Sequence, residues 1–582
     1  NMRKMKKWIV SDGSYLPEEG IIRIGKLALY SDFEFIKING VNLLIDGYVL
    51  PRYKFFEEYK RLSQYELVSV LFNRYGIDFI NRIKGSFNIV IKKDEKLFIA
   101  NDFHSLHKFF FSLKEGKLIV SNSIFEIQRK INSPVNFNNV ALYDLLEHFT
   151  CGHTLFSDIL FSEPASVIEV NTETLGFTRT NYYSLREHIN PGSSNISLDE
   201  FSYFWTDFIS QYIKFLNPRQ LSLTLTGGND SRMILSALIK KKVDANLFSF
   251  GNPQSFDAVV SQKIATKIGY QYNNYFTTPT STWFKEYADQ ILSIGNTLIN
   301  LHRVHRLYAI DQEVVNNSNT EMLFCGFMGG DYLKGLSYDN YITPKLFYDF
   351  EHSGQDFKTL VLNALDRKLV LKDAVNIEEI ITKLQLSPFF SDKLRKDREF
   401  NRLFYLVGSM HDYQDTAVFS SRIPYVVNPF MDIDFLEMLY NSSFSFLSVH
   451  NEFLFKKFRL GRSSFHLKIT DALAPNLSDI EYSKKGYYSA NEYLNTNPFF
   501  FNLIRLNRFK QNKQYPASFP YGDWFSQYIE KNLEMMRDTH LPYNYEQLRL
   551  QFQRIKNIPQ NEGGLHIFTN PINVFLNSNQ KH

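Results

Sequence analysis

Two periodicities divide this chain. Up to about residue 125, apolar residues come in short β-like runs: KLALYSD, NLLIDGYVL, SFNIVIKK, KLFIAND, HKFFFSL and KLIVSNS. Turn formers such as Lys93-Asp94-Glu95 and Lys114-Glu115-Gly116 separate them, which predicts strands joined by tight turns. A helical stretch at Tyr65–Tyr75 interrupts them, and a second helix is predicted from Asn139, as its N-cap, through Leu146. This is a layered α+β pattern. Asn190-Pro191-Gly192-Ser193-Ser194-Asn195 then reads as a linker, rich in turn formers and without apolar periodicity. Beyond it, strands at Leu221–Leu225, Asn246–Phe250 and Tyr270–Phe276 alternate with helices at Asp230–Ile239 and Ala258–Ile268. That βαβαβ order predicts a parallel sheet covered by helices, with ligands at the carboxyl ends of its strands. From Arg402 the pattern turns helical. Beyond about Phe500 the chain is rich in Asn, Gln and Phe and carries no readable chemistry.

One strand end stands out. Thr226-Gly227-Gly228-Asn229-Asp230-Ser231 lies between a strand and a helix, with Arg232 next. Paired glycines let a backbone bend sharply and approach a ligand. Unpaired N–H groups at the helix start and the helix dipole favour an anion. Thr226 and Ser231 add hydroxyls. Asp230 suits a phosphate cradle only with a cation between them, so the turn points to nucleotide phosphates with Mg²⁺. It lacks the Lys of a Walker loop and the third Gly of a dinucleotide fingerprint.

Composition narrows the function classes. Net charge is +4, so no strong basic field argues for nucleic acid. The two cysteines, Cys151 and Cys325, exclude a disulfide framework or a Cys-rich zinc site and fit a reducing cytoplasm. The basic start NMRKMKKWIVSDGSYLP has no apolar run long enough for a signal peptide. No stretch approaches about 18 consecutive apolar residues, so no membrane span is expected. Phe and Tyr are abundant, at 54 and 34, which we read as base composition and not as function.

The turn at 226–231 resembles the Ser-Gly-Gly-x-Asp-Ser pyrophosphate loop of the asparagine synthetase family, with Thr226 for the first Ser. Further segments extend the resemblance from about residue 80 to about 490. Gly85-Ser86-Phe87-Asn88-Ile89-Val90, then Ala100-Asn101-Asp102 and Phe109-Phe110-Phe111, resemble the core of that family's glutaminase domain. Thr154-Leu155-Phe156-Ser157-Asp158-Ile159 resembles its closing segment. LFSFGNPQSFDAVVSQKIATKIG resembles the segment that holds adenine with backbone atoms, implicating Phe250 and Gly251. Asp257 takes its acidic position; as a bare residue it reads equally as a helix N-cap. Met322 to Asp331 resembles the family's second acidic turn, with Gly330 and Asp331 in register and Tyr332 replacing a Glu. Arg422-Ile423-Pro424 and Asn428-Pro429-Phe430-Met431-Asp432 resemble the Arg-Val-Pro-Phe-Leu-Asp region. Tyr482-Ser483-Lys484-Lys485-Gly486-Tyr487 resembles a loop whose Lys, here Lys484 with Lys485 as fallback, meets the α-phosphate.

The resemblance implies two domains. Residues 1–188 form an α+β glutaminase-like sandwich of the Ntn type, and 196–582 an α/β ATP-pyrophosphatase domain with a parallel sheet. It implies ATP and Mg²⁺ as cofactors, with Asp230 and Asp331 on the metal. Thr226, Gly227, Gly228, Asn229, Asp230, Ser231, Arg232, Phe250, Gly251 and Gly330 would hold the nucleotide. A carboxylate would be adenylated, releasing pyrophosphate, and an amine would then give the amide and AMP. Glutaminases of this class need an N-terminal Cys; Asn1 and Met2 stand first here, so glutamine hydrolysis is not expected. Relatives without that Cys include β-lactam synthetases and lasso-peptide cyclases. The former use a Tyr–Glu pair, and Met328 stands where that Tyr belongs. The expectation is therefore a peptide macrolactam cyclase in the cytoplasm, partnered by a precursor peptide and its protease. The alternatives are amidation of a sugar acid or other small carboxylate, and a non-catalytic binding protein on the same scaffold. A tRNA-modifying enzyme would call for the basic surface or catalytic cysteines that are missing.

Overall fold

A computed structural model describes residues 5–12, 20–114, 116–335, 344–449, 451, 464–482, 488–497, 500, 515–516, 518, 523–556 and 568–579. Among these residues, two antiparallel six-stranded sheets are built from the strands between Trp8 and Asn181, and one parallel five-stranded sheet from those between Gln220 and Val427. The α+β expectation for the first part and the parallel sheet for the second both hold.

Alternation along the strands explains the first part. On the strand Val41–Pro51, Val41, Leu43 and Ile45 face the helix Gln64–Tyr75, while Leu44 faces the other sheet. The strand Lys96–Asn101 repeats this, with Phe98 and Ala100 toward the helix and Leu97 and Ile99 inward. A period of two places each residue on one face or the other. The helix itself starts at Ser63, whose hydroxyl accepts from Glu66 while the Glu66 carboxylate accepts from the Ser63 N–H. The later helix is Phe137–Leu146, and its N-cap is Asn136, not Asn139; the Asn139 N–H donates to the Asn136 side chain.

The parallel sheet has the order 272–275, 246–250, 220–224, 320–324, 425–427. Its strands are Tyr272–Tyr275, Asn246–Phe250, Gln220–Thr224, Thr320–Phe324 and Tyr425–Val427. The chain winds outward from Gln220–Thr224 in one direction, then returns to its other side. That reversal opens a crevice at the carboxyl ends of Gln220–Thr224 and Thr320–Phe324.

A continuous apolar core joins the two parts, and buried ions fasten them. The Lys84 ammonium lies 3.1 Å from Asp434 and 3.3 Å from Asp432, and Arg52 donates to Asp434 at 2.8 Å. Linker residue Ser194 donates to the Asn441 carbonyl, so the linker is pinned along the second part. The helix stretch Arg402–Asp412 widens to π spacing, a form concentrated at functional sites. Among the described residues no helix is long and apolar enough to cross a membrane.

Candidate functional site

The turn after Gln220–Thr224 is held from below. Leu225 extends the strand by donating to Phe248 at 2.7 Å. Within the turn, the Thr226 N–H donates to the Ser231 hydroxyl and the Gly228 N–H to the Thr226 hydroxyl, both at 3.2 Å. The Gly227 N–H donates to Asp257 at 3.1 Å. Asp257 is thus a brace for this turn, and the N-cap of its helix is Ser255. A Cβ on Gly227 would stand 2.5 Å from the Phe256 ring, so glycine is required there. The helix Asn229–Lys241 begins at Gly228 with no side-chain cap. Its first N–H groups and its dipole face the crevice.

Arg232, 2% exposed, supports the turn in a different way from that implied by the resemblance. Its guanidinium donates to the carbonyls of Gly227 at 3.2 Å, Ile480 at 2.9 Å, and Glu481. It ties the turn to the segment leading to Lys484. Burial pushes its pKa down to about 10.

The second acidic turn touches the first. A Cβ on Gly326 would meet the Ser231 nitrogen at 2.8 Å and the Asp230 carbonyl carbon at 3.1 Å. Gly330 packs against the Asp230 carboxylate: a Cβ on it would lie 3.5 Å from Oδ1. Asp230 is half-buried, and the imidazole of His466 lies 3.8 Å from it. Burial pushes the Asp230 pKa up, while the Lys334 ammonium and the Gly330 N–H pull it back. Burial, reinforced by Lys334, holds His466 far below its usual range, so it stands neutral. Sequence reasoning missed Lys334. The signal was its place three residues after Asp331 on the helix Gly329–Lys334.

Asp331 is half-buried at the start of that short helix. Its charge helps raise the pKa of both Tyr332 and Asp412, for which burial is the main cause. Tyr332 lies beneath, 1% exposed, and donates to Asp412 at 3.2 Å. Asp415 also raises Asp412 and forms ion pairs with Arg303 at 3.0 Å and Arg306 at 2.7 Å.

The structure thus brings together Thr226 to Arg232, Asp257, Gly330 and Asp331. Phe250 and Gly251 stand at the end of the adjoining strand, where protein groups use the backbone. The Gly251 N–H donates to Tyr275, its carbonyl accepts from Asn274, and the Asn252 N–H donates to Ser518 at 2.6 Å. Arg306 lies 5.7 Å from the Phe250 ring centre. Lys484 and Lys485 lie outside the described residues.

The donor set suits Mg²⁺ accompanied by phosphates. Two carboxylates stand on touching turns, and Mg²⁺ is ordinarily held by one or two carboxylates together with substrate phosphates and waters. Among the described residues no group of three or more acidic, His or Cys side chains forms a self-sufficient metal cage.

No protein-family model and no curated protein sequence matches the chain. Among solved structures, it is similar to the allosteric regulatory enzyme of purine biosynthesis at 11% identity and a TM-score of 0.21, covering 47% of this chain and 75% of that one. It is similar to the glutamine phosphoribosylpyrophosphate amidotransferase of B. subtilis complexed with ADP and GMP at 12% identity and 0.19, covering 48% and 64%. Its similarity to the NMN synthetase of Francisella tularensis is 10% identity and 0.20, covering 42% and 94%. Overlaps this shallow carry no weight for fold or function, and the site rests on its own geometry.

Proposed function

We propose that the chain is an ATP-dependent carbon–nitrogen ligase that forms AMP and pyrophosphate. The observation that carries this reading is the pair of touching turns at the reversal point of the parallel sheet. One offers an uncapped helix N-terminus and the other packs Gly330 against the Asp230 carboxylate. In this reading residues 1–188 form a glutaminase-like sandwich and 196–582 the ligase domain.

The turn Thr226–Ser231 receives the phosphates that become pyrophosphate. Its N–H groups and the helix dipole stabilise the charge that builds on the leaving group. Asp230 and Asp331 would hold Mg²⁺, which supplies charge neutralisation when bound. Lys334, beside Asp230, adds a fixed positive charge to the same corner. Arg232 and Asp257 position the turn and do not touch substrate. Lys484 is assigned to the α-phosphate by its motif. The acyl acceptor in this reading is an amine of the same substrate, giving a peptide macrolactam; the alternative is a separate amine or ammonia acting on a small carboxylate.

The test is calorimetric titration of α,β-methylene-ATP with and without Mg²⁺. Tight binding is expected only with Mg²⁺, and Asp230→Asn should abolish that enhancement. In turnover assays with candidate peptides, ADP as the sole nucleotide product would refute the reading.

A further inference from the structure

A cavity of about 420 Å³ lies between the antiparallel part and the helix Tyr413–Ser420. That volume suits a small metabolite. Its floor is formed by Asp46, Gly47 and Asn88 on adjacent strands, with Asn122 beside them. Tyr413, Ala417 and Ser421 form the opposite wall, and the exposed Lys6 and Glu34 also line it.

Asp46 is only 8% exposed. A buried carboxylate is costly unless hydrogen bonds replace its water. Trp8 Nε1 and Asn122 Nδ2 each donate to it at 3.0 Å, and Asn88 Nδ2 at 3.3 Å. All three donors are neutral, so they hold the charge without cancelling it. All three end on Oδ2, which leaves Oδ1 without a donor among the described residues.

Of the other polar groups lining the cavity, Lys108, His107 and Lys6 have partners of their own, and the exposed Glu34 adds a second carboxylate. Lys108 is 3% exposed. Its ammonium is committed to the Ser105 carbonyl at 2.9 Å and to the Ser105 and Ser409 hydroxyls, each at 3.2 Å. It also lies 5.0 Å and 4.8 Å from the ring centres of Phe161 and Tyr413. His107 Nδ1 shares a hydrogen bond with the Ser86 hydroxyl at 2.7 Å. Lys6 sits 5.4 Å from the Phe33 ring centre.

We propose that this cavity binds a small molecule bearing a primary ammonium group, which donates to Asp46 Oδ1. Aromatic rings of Phe33, Tyr65, Tyr413 and Tyr425 line the space around it and suit a cation. This site does not depend on the ligase reading, and its carboxylate stands on strands remote in sequence from the turn at 226–231.

The experiment uses the full chain and two probes of equal size, butylammonium chloride and sodium butyrate, read by saturation-transfer NMR. Butylammonium is expected to bind saturably and butyrate not to bind. Asp46→Asn keeps the shape and removes the charge, and should weaken butylammonium by about tenfold or more. Ala417→Phe fills the cavity from the opposite wall without touching Asp46, and should block the probe even if the Asp46 variant fails to fold. Butylammonium binding that survives in either folded variant, or butyrate binding of equal strength, overturns the proposal.

Discussion

The crevice of the parallel sheet and the cavity of the antiparallel part solve opposite problems with opposite materials. The crevice presents backbone. Its helix start is uncapped, its turn needs glycine at 227, and its charged side chains either brace from beneath or sit at one corner. The cavity presents a side chain. Asp46 is held in place by Trp8, Asn88 and Asn122, which bond it from separate segments. A site made of N–H groups and a helix dipole suits an anionic ligand. A buried carboxylate among neutral donors suits a cationic one. The two regions therefore should fail independently when each is damaged.

The largest effect should come from Asp230→Asn. It removes a negative charge beside Lys334 and His466 while keeping the shape of the side chain. Turnover, measured as pyrophosphate release, should fall by about 10²–10³-fold. Circular dichroism and butylammonium binding should match the parent protein. A near-normal rate would remove Asp230 from the chemistry; a lost butylammonium signal would mean the two regions are coupled.

Lys108 tests the electrostatics on the cavity side. Burial pushes its pKa down to about 7, against the opposing pull of Asp102 and Glu163. The unfolded chain holds that proton up to about pH 10.5, so between the two values it binds more protons than the folded chain. The sign is then fixed: this contribution to stability rises with pH from about 7 to about 10.5. Each unit is worth about 1.4 kcal/mol, so about 2–4 kcal/mol should accrue by pH 10. Other groups titrate there too, so the quantity to measure is the parent protein minus Lys108→Met in urea melts at pH 7 and pH 10. A difference that stays flat would mean the ammonium keeps its ordinary pKa.

The same contrast explains what could be read from sequence. Backbone-made sites leave punctuation. Gly227, Gly228, Gly330 and the acids beside them sit in short windows, and the strand Asn246–Phe250 was legible residue for residue. Legibility failed where one local pattern admits several solutions. Asn136, Asn138 and Asn139 compete to cap one helix, and only the geometry selects Asn136. The resemblance put Arg232 among the nucleotide ligands, and its guanidinium bonds the carbonyls of 480 and 481. Lys334 was hidden by an unremarkable spacing. Asp46 was illegible because its three partners lie 38, 42 and 76 residues away.

Gly326 tests whether the two turns must touch. An added methyl would meet backbone at 2.8 Å and 3.1 Å, and backbone cannot swing aside as a side chain can. Gly326→Ala should cost about 1–3 kcal/mol in stability. It should also weaken α,β-methylene-ATP, because the second turn is pushed away from Asp230. Butylammonium binding should not change. If nucleotide affinity holds while stability falls, contact between the turns is structural only.

The smallest effect separates the hydroxyl of Thr226 from its methyl. The resemblance puts Ser at this position, and Thr differs from it by a methyl. The exposed Thr226 accepts from the Gly228 N–H through Oγ1 at 3.2 Å. That bond orients the peptide between the two glycines, just before the helix whose N–H groups meet the phosphates. A β-branched side chain has few rotamers, which favours holding the hydroxyl in place. Thr226→Ser keeps the oxygen, so α,β-methylene-ATP affinity should stay within about twofold. Thr226→Val keeps the shape and loses the acceptor. The Gly228 N–H then turns to water, and the typical net worth of one hydrogen bond is about 0.5–1.5 kcal/mol. Affinity should therefore drop about two- to tenfold, with the melting transition almost unmoved because the residue is exposed. Calorimetry on both variants settles the point. If Ser is as weak as Val, the methyl packing shapes the turn and the hydroxyl does not. If neither variant differs from the parent, the glycines and Asp257 suffice to hold the turn, and the hydroxyl at 226 has no part in binding.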